Sequence, residues 1–419
     1  MTIPEWFDRA RFGLFFHWGH SSQQGVELSW PMVGGSPVLP HCRPQTVDEY
    51  QASAATFNPS AGGGFDAREW ARLAKRCGAE YAVLTSKHHD GYAMFHTALS
   101  EFSVQHSPFG RDIVREFAEA FRAEGLRVGL YFSLLDWHHP DYPAWRDEDR
   151  PYMPGRWPQP SPEQWERYLA FMFGQARELL TNYGRIDLIW FDGQWERTPE
   201  QWHAPELAAM IRELQPEIVI NDRLPGGDYD TPEQFVPATS PSRPWEVCLT
   251  MNESWGYNPS DAHLKSSRQL VHTLSEIAAK GGRLLLNLSP RGDGSLPPEQ
   301  VEPLEAVGRW LARNGEAVFG TEPALEPWQF YGPTTRSANR TYLHLLMRPY
   351  EAVTVRGFPI KRVTAVRDLA TGRDLKYETR CAILDHLLNA DPMGELTIEV
   401  PEGVVDPLAT VVTVETRAP

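Results

Sequence analysis

The sequence predicts a (β/α)8-like barrel followed by a C-terminal antiparallel β-sandwich. Up to about residue 320, short apolar runs rich in β-branched and aromatic residues alternate with longer segments of helical period. That alternation implies parallel strands joined by helical crossovers. Beyond about residue 330 the helical period gives way to short alternating runs divided by Gly and Pro turns, the texture of an antiparallel sandwich. No G-x-G-x-x-G follows the first strand, which disfavours an open dinucleotide-binding sheet.

The elements follow in order. "FGLFFHWG" (12–19) reads as the first strand. In "REWARLAKRCG", Trp70, Leu73, Ala74 and Cys77 recur at helical spacing and Gly78 supplies the stop. "AEYAVLTSKHHDG" (79–91) is the second strand, and residues 111–125 form a helix with Val114, Phe117 and Phe121 on one face. "RVGLYFSLLDW" (127–137) is a strand; a long helix near 162–183 leads into "IDLIWFDG", and 204–216 leads into "IVINDRL". "WEVCLTMN" (245–252), a helix over 263–280, "GGRLLLNLSP" (281–290) and a helix over 297–318 complete the series. Seven β-then-α units are visible, and the count favours a closed barrel with one strand hidden or degenerate. The reading divides the chain into a barrel over 1–325 and a sandwich over 326–419, with the boundary near 320–332.

Composition narrows the function. With 419 residues, 41% hydrophobic and 23% charged, the chain is long enough for one large core and a smaller domain. A net charge of −15 argues against a nucleic-acid partner, which needs clustered Lys and Arg. Cys42, Cys77, Cys248 and Cys381 are scattered without ligand or disulfide spacing, so free thiols are expected. The N-terminus carries no apolar targeting core and no run suits a membrane span, so a cytoplasmic protein with no membrane partner is expected.

Barrel enzymes place their chemistry at the C-terminal ends of the strands. Those ends read His17 with Trp18, then Lys87-His88-His89-Asp90, Tyr131, Trp190 with Asp192, Asn221-Asp222-Arg223, and Glu246. Adjacent His88 and His89 are expected on opposite faces of an extended strand. No H-x-H, H-E-x-x-H or G-x-S-x-G occurs, so neither a catalytic metal nor a serine nucleophile is expected, and no cofactor is called for. A carboxylate ending a buried strand, Asp192, suits glycoside hydrolysis, which needs a second carboxylate. Glu233, Glu246 and Glu253 are the candidates on later strands and loops.

The stretches "FGLFFHWG", "YAVLTSKHHDGYAMF", "GRDIVREFAEAFRAEGLRVGLYFSLLDW", "WFDG", "INDR", "GDYDTPEQF", "WEVCLTMNESWGYN", "AAKGGRLLLNLSPRGDGSL" and "WLARNGEAVFGT" span about 5–322. In that order the chain resembles the retaining α-L-fucosidases of glycoside hydrolase family 29. The resemblance implies release of L-fucose from a fucosylated oligosaccharide or glycoconjugate by double displacement. It implies sugar contacts by His17, His88, His89, Tyr131, Trp190 and Arg223, with Asp192 as nucleophile and Glu233 as the best match to the acid/base. Glu246 is carried as a further substrate contact, and "KGGRLLLNLSPRGDG" is assigned to the fold. Many members have a Glu-Trp pair after the first strand; here Ser29 precedes Trp30, with Glu27 two residues earlier. Trp30 is expected in the pocket, and either Glu27 replaces the glutamate or that contact is lost. The competing readings are a hydrolase of a related sugar, such as an α-L-galactoside, and a non-catalytic carbohydrate-binding relative.

Overall fold

The computed structural model describes residues 3–36, 39, 41–59 and 64–418. Seven parallel strands form one sheet: β1 Phe12–Phe16, β2 Tyr81–Lys87, β3 Arg127–Ser133, β4 Leu188–Asp192, β5 Val219–Ile220, β6 Glu246–Thr250 and β7 Arg283–Leu288. Their order is β5-β4-β3-β2-β1-β7-β6. The eighth stave is the degenerate one. Residues 229–233 lie between the two edges, bridging in parallel to β5 at Asn221–Tyr229 and to β6 at Asp230–Trp245 and Glu233–Cys248. Its Asp and Pro content prevents a regular ladder, and it follows β5 through a turn instead of a helix.

The strands are apolar along their length because both faces are covered. Phe12, Leu14, Phe16, Ala82, Leu84, Leu130, Phe132, Ile189 and Phe191 join the core shared with the helices. Phe15, Tyr81, Val83, Tyr131, Leu188 and Trp190 fill the barrel interior. This period of two puts Asp192 on the same inward face as Trp190. The N-terminal helix Glu5–Arg9 closes the floor, with Phe7 packed on Tyr229 at 4.6 Å between ring centroids.

Helices Ala67–Arg76, Ile113–Ala123, Pro162–Asn182, Ala204–Leu214, Ser267–Ala279 and Pro298–Asn314 surround the barrel. Asp66, Asp112, Ser161 and Ser266 cap four of them through their side chains. None of the described helices is long and apolar enough to cross a membrane.

The C-terminal part is a sandwich of two antiparallel sheets. One holds 322–323, 334–337, 340–345, 363–368 and 410–416; the other holds 352–359, 377–380 and 393–399. Val355, Phe358, Leu396 and Ile398 meet Leu343, Val366, Val412 and Val414 between them. An element absent from the sequence reading is the short exposed helix Ile383–Leu388. The sandwich is fastened to the barrel helices: Trp310 Nε1 donates to the Ala409 carbonyl at 2.8 Å, and His272 Nε2 meets the Leu408 carbonyl at 2.8 Å.

Gly13 faces the barrel interior, where a Cβ would stand 2.4 Å from the Tyr81 ring. Gly13→Ala is therefore expected to destabilise by about 1–3 kcal/mol, as overpacked cores do. Gly19→Ala, where a Cβ meets nothing within 4 Å, serves as the control. Thermal melts in which both variants match the wild type would refute the tight interior.

Candidate active site

At the C-terminal ends of the strands a pocket is lined by Phe15, His17, Leu28, Trp30, Leu39, His88, His89, Tyr131, Trp190, Asp192, Trp195, Arg223, Glu233 and Trp255. All but one of the residues expected to act or bind there are present. Its centre is an arginine shared by two carboxylates. Arg223 Nη1 donates to Asp192 Oδ1 at 3.1 Å and Nη2 to Glu233 Oε2 at 2.9 Å. The guanidinium is held by its Nε–H on Thr231 Oγ1 at 3.1 Å and lies over the Trp190 ring. Burial opposes its charge, but Asp192 and Glu233 outweigh that and raise its pKa.

The two carboxylates differ in setting. Asp192 ends a strand and has a side chain only 15% exposed. Burial pushes its pKa up, while Arg223, the Tyr131 hydroxyl at 2.9 Å and the Gly193 amide act to keep it ionised. Glu233 is 40% exposed and sits on the irregular stave. Gln234, the next residue, has a left-handed φ of 61°, a costly conformation for a side chain larger than glycine. Gln234 is pinned there by its N–H to the Cys248 carbonyl and its side chain to Thr250.

The histidines form the opposite wall, and His17 and His89 each have one ring nitrogen assigned by a neighbour. Asn287 donates Nδ2–H to the Trp255 carbonyl, which turns its Oδ1 to His17 Nδ1 at 2.7 Å. His17 therefore carries its proton on Nδ1 and offers Nε2 as an acceptor. His89 Nδ1 meets Ser133 Oγ at 2.7 Å; that hydroxyl donates to the Leu135 carbonyl, so His89 also donates from Nδ1. Its Nε2 stands 3.7 Å from Asp192 Oδ2, beyond hydrogen-bond distance. Burial pushes His17 and His89 down to about 3 and holds His88 well below the usual histidine range. All three are neutral at neutral pH, and His17 and His89 offer Nε2 as an acceptor.

Two expectations need correction, and one alternative is decided. His88 and His89 do not point apart: β2 stops at Lys87, the chain turns, and both rings face the pocket with centroids 4.1 Å apart. It is Lys87 and Asp90 that turn away, to Asp136 and to Tyr50 respectively. Glu246, expected on the substrate, lies one layer deeper. It accepts hydrogen bonds from Tyr81, from Trp190 Nε1 at 3.0 Å and from Tyr229 at 3.3 Å. It supports Trp190 without lining the pocket, and burial pushes its pKa up to about 7 despite those donors. Glu27 does not replace the missing glutamate. It is buried under the loop after β6, where its carboxylate accepts the Trp255 N–H at 2.7 Å and the Gly256 N–H. Ser29 instead bonds His88 Nδ1 at 2.7 Å. Glu253 faces His41 and His263, away from the pocket.

Trp255, Trp195, Phe15, Leu28 and Leu39 were not singled out from sequence. The two tryptophans stand inside "NESWGYN" and "FDGQWE", so an excess of Trp near strand ends was the available signal. Asn287 sits in the stretch assigned to the fold alone, yet it fixes the His17 tautomer.

A parallel barrel whose strand ends hold paired carboxylates, an arginine and aromatic walls defines a glycoside hydrolase. Sequence comparison specifies which. The alpha-L-fucosidase family model matches residues 1–316, and the chain belongs to that family. It is 34% identical to tissue alpha-L-fucosidase of Bos taurus, covering 90% of this chain and 82% of the relative. Alpha-L-fucosidase isoenzyme 1 from Paenibacillus thiaminolyticus superposes with a TM-score of 0.86 at 36% identity, covering 99% of this chain and 98% of that one. A GH29 alpha-L-fucosidase from Bacteroides thetaiotaomicron, solved as a trapped covalent intermediate with 2-fluoro-fucosyl fluoride, gives 0.82 at 26% identity over 99% and 95%.

The buried Glu27 makes a pH prediction. Burial raises its pKa from the ordinary 4.5 to about 8. Between those values the folded chain keeps a proton that the unfolded chain has released, so its contribution to stability falls as pH rises. Relative to Glu27→Gln, which cannot ionise, the wild type should lose roughly 1.4 kcal/mol per pH unit between pH 5.5 and 7.5. Denaturant titrations giving a pH-independent difference between the two would contradict this.

Proposed function

We propose that this chain is an exo-acting, retaining α-L-fucosidase that removes terminal L-fucose from fucosylated glycans. The observation that carries the proposal is the pair Asp192 and Glu233 on one guanidinium, at the base and rim of a pocket closed below by the barrel interior. Phe15, Leu28, Trp190 and Trp255 give the sugar's apolar carbons, including a 6-deoxy carbon, surfaces to lie against. The neutral imidazoles of His17 and His89 accept hydrogen bonds from its hydroxyls.

In the first step an Asp192 oxygen attacks the anomeric carbon while the bond to the leaving oxygen breaks. Glu233 gives its proton to that oxygen, so the leaving group departs neutral. The contact with Arg223 suits a Glu233 carboxylate, so the acid step requires Glu233 to part from Arg223 as the leaving group enters. Its exposure and irregular stave favour that movement. In the second step Glu233 takes a proton from water, whose oxygen displaces Asp192 and restores the original configuration. Tyr131 and Arg223 hold Asp192 during attack and stabilise it as a leaving carboxylate. The reaction needs no cofactor.

Further points belong to the same proposal. Four unpaired cysteines favour a reducing compartment, the cytoplasm. The net charge of −15 disfavours nucleic acid and anionic membrane partners. The division between barrel and sandwich is placed near residue 325, where the pairing of 322–323 with 334–337 supports a start at or just before that point.

The test separates the two carboxylates. Asp192→Gly should lose nearly all turnover and regain it with azide, giving β-fucosyl azide. Glu233→Ala should slow natural glycans by about 10²–10⁴-fold, spare activated aryl fucosides in the first step, and give the α-azide. Wild-type behaviour of Glu233→Ala, with the same signature in another carboxylate variant, would overturn the acid/base assignment alone. Absence of fucose release from any α-L-fucoside would overturn the function.

A further inference from the structure

Outside the pocket, two loops far apart in sequence bring four ligand-type side chains together. His41 lies just beyond Leu39 of the pocket wall, while Glu253, Asp261 and His263 lie on the loop after β6 that carries Trp255. His41 Nε2 stands 2.9 Å from Glu253 Oε2 and 3.7 Å from Asp261 Oδ1, and His263 Nδ1 stands 3.2 Å from Glu253 Oε2. One ligand atom from each residue falls within 4.8 Å of all the others.

We propose that His41, Glu253, Asp261 and His263 form a structural binding site for a divalent cation of the zinc class, joining the two loops that wall the pocket. Four ligands at about 2.0–2.2 Å around one tetrahedral ion stand roughly 3.3–3.6 Å from one another. The observed separations bracket that range, so small side-chain adjustments complete the site. The donor set selects the ion: two imidazoles with two carboxylates suit zinc, whereas calcium and magnesium prefer all-oxygen shells.

Charge supports the same reading. Two carboxylates face each other here, and among the described residues no Lys or Arg forms an ion pair with either. Lys265 nearby places its Nζ on the carbonyls of Thr250 and Asn252, and Arg43 bonds Ser260. A dication bound by two neutral imidazoles and two carboxylates leaves the ligand set itself neutral. Asp261 is already oriented for ligation. Its side chain is fully buried, and its Oδ2 accepts from Ser254 Oγ at 2.8 Å and the Glu253 N–H at 2.9 Å, turning Oδ1 toward His41. The site is separate from the fucosidase chemistry: none of its four residues lines the pocket.

The experiment uses untagged full-length protein stripped with EDTA and desalted. Calorimetric titration with zinc chloride should reveal one site per chain, with a rise in melting temperature. Cobalt(II) should give the visible absorption of a tetrahedral ion. His263→Ala, a change at a side chain 74% exposed, should weaken zinc binding at least tenfold and remove the thermal shift, and His41→Ala should do the same. The kcat of the stripped enzyme should match that of the zinc-loaded enzyme within about twofold. No saturable zinc binding, binding unchanged by both histidine variants, or selective binding of calcium would each overturn the proposal. A collapse of kcat on stripping would overturn its purely structural character.

Discussion

One guanidinium organises this active site. Two carboxylates in a pocket poor in water repel each other unless a fixed positive charge stands between them, and Arg223 is that charge. Arg223 and Asp192 form the buried pair of this cluster, and removing one partner of such a pair typically costs about 3–5 kcal/mol. The arginine is itself supported from below. It lies over Trp190, whose indole N–H is held by Glu246, and Glu246 is held in turn by Tyr81 and Tyr229 in the barrel interior. Arg223 therefore inherits its position from a column of side chains that descends through the barrel.

The other wall relies on burial instead of charge. His17 and His89 are kept neutral by desolvation, and their tautomers are set by Asn287 and Ser133. Neutral imidazoles with fixed lone pairs can accept from hydroxyl groups without competing with Arg223 for the charge of Asp192. Recognition and electrostatics are thus assigned to different sides of the pocket.

Most of the fold was legible because barrel strands buried on both faces read as apolar runs, and the intervening helices carry caps and glycine stops. The eighth stave was hidden because "GDYDTPEQF" contains too many turn-forming residues to signal a strand. Asp192 was legible for the opposite reason: a charge at the end of an apolar strand is conspicuous. His88 and His89 were misjudged because strand alternation was extended one residue past the point where β2 ends. Glu246 and Glu27 are carboxylates with internal tasks, and sequence does not distinguish a carboxylate that meets substrate from one that caps backbone or anchors an indole. The cluster of His41 with Glu253 joins residues 212 apart, a separation over which no local spacing rule operates.

The irregular eighth stave has a consequence for how such an enzyme diversifies. It completes the cylinder through a few single bridges and owes nothing to a packed helix of its own. Its length and sequence can vary without disturbing the seven-stranded sheet that holds Asp192. On the proposed roles, the barrel holds Asp192 on a regular strand and leaves Glu233 on a segment free to be remodelled. Under the same proposal, changes within 226–237 would alter the side of the pocket that meets the leaving group and leave the Asp192 side in place.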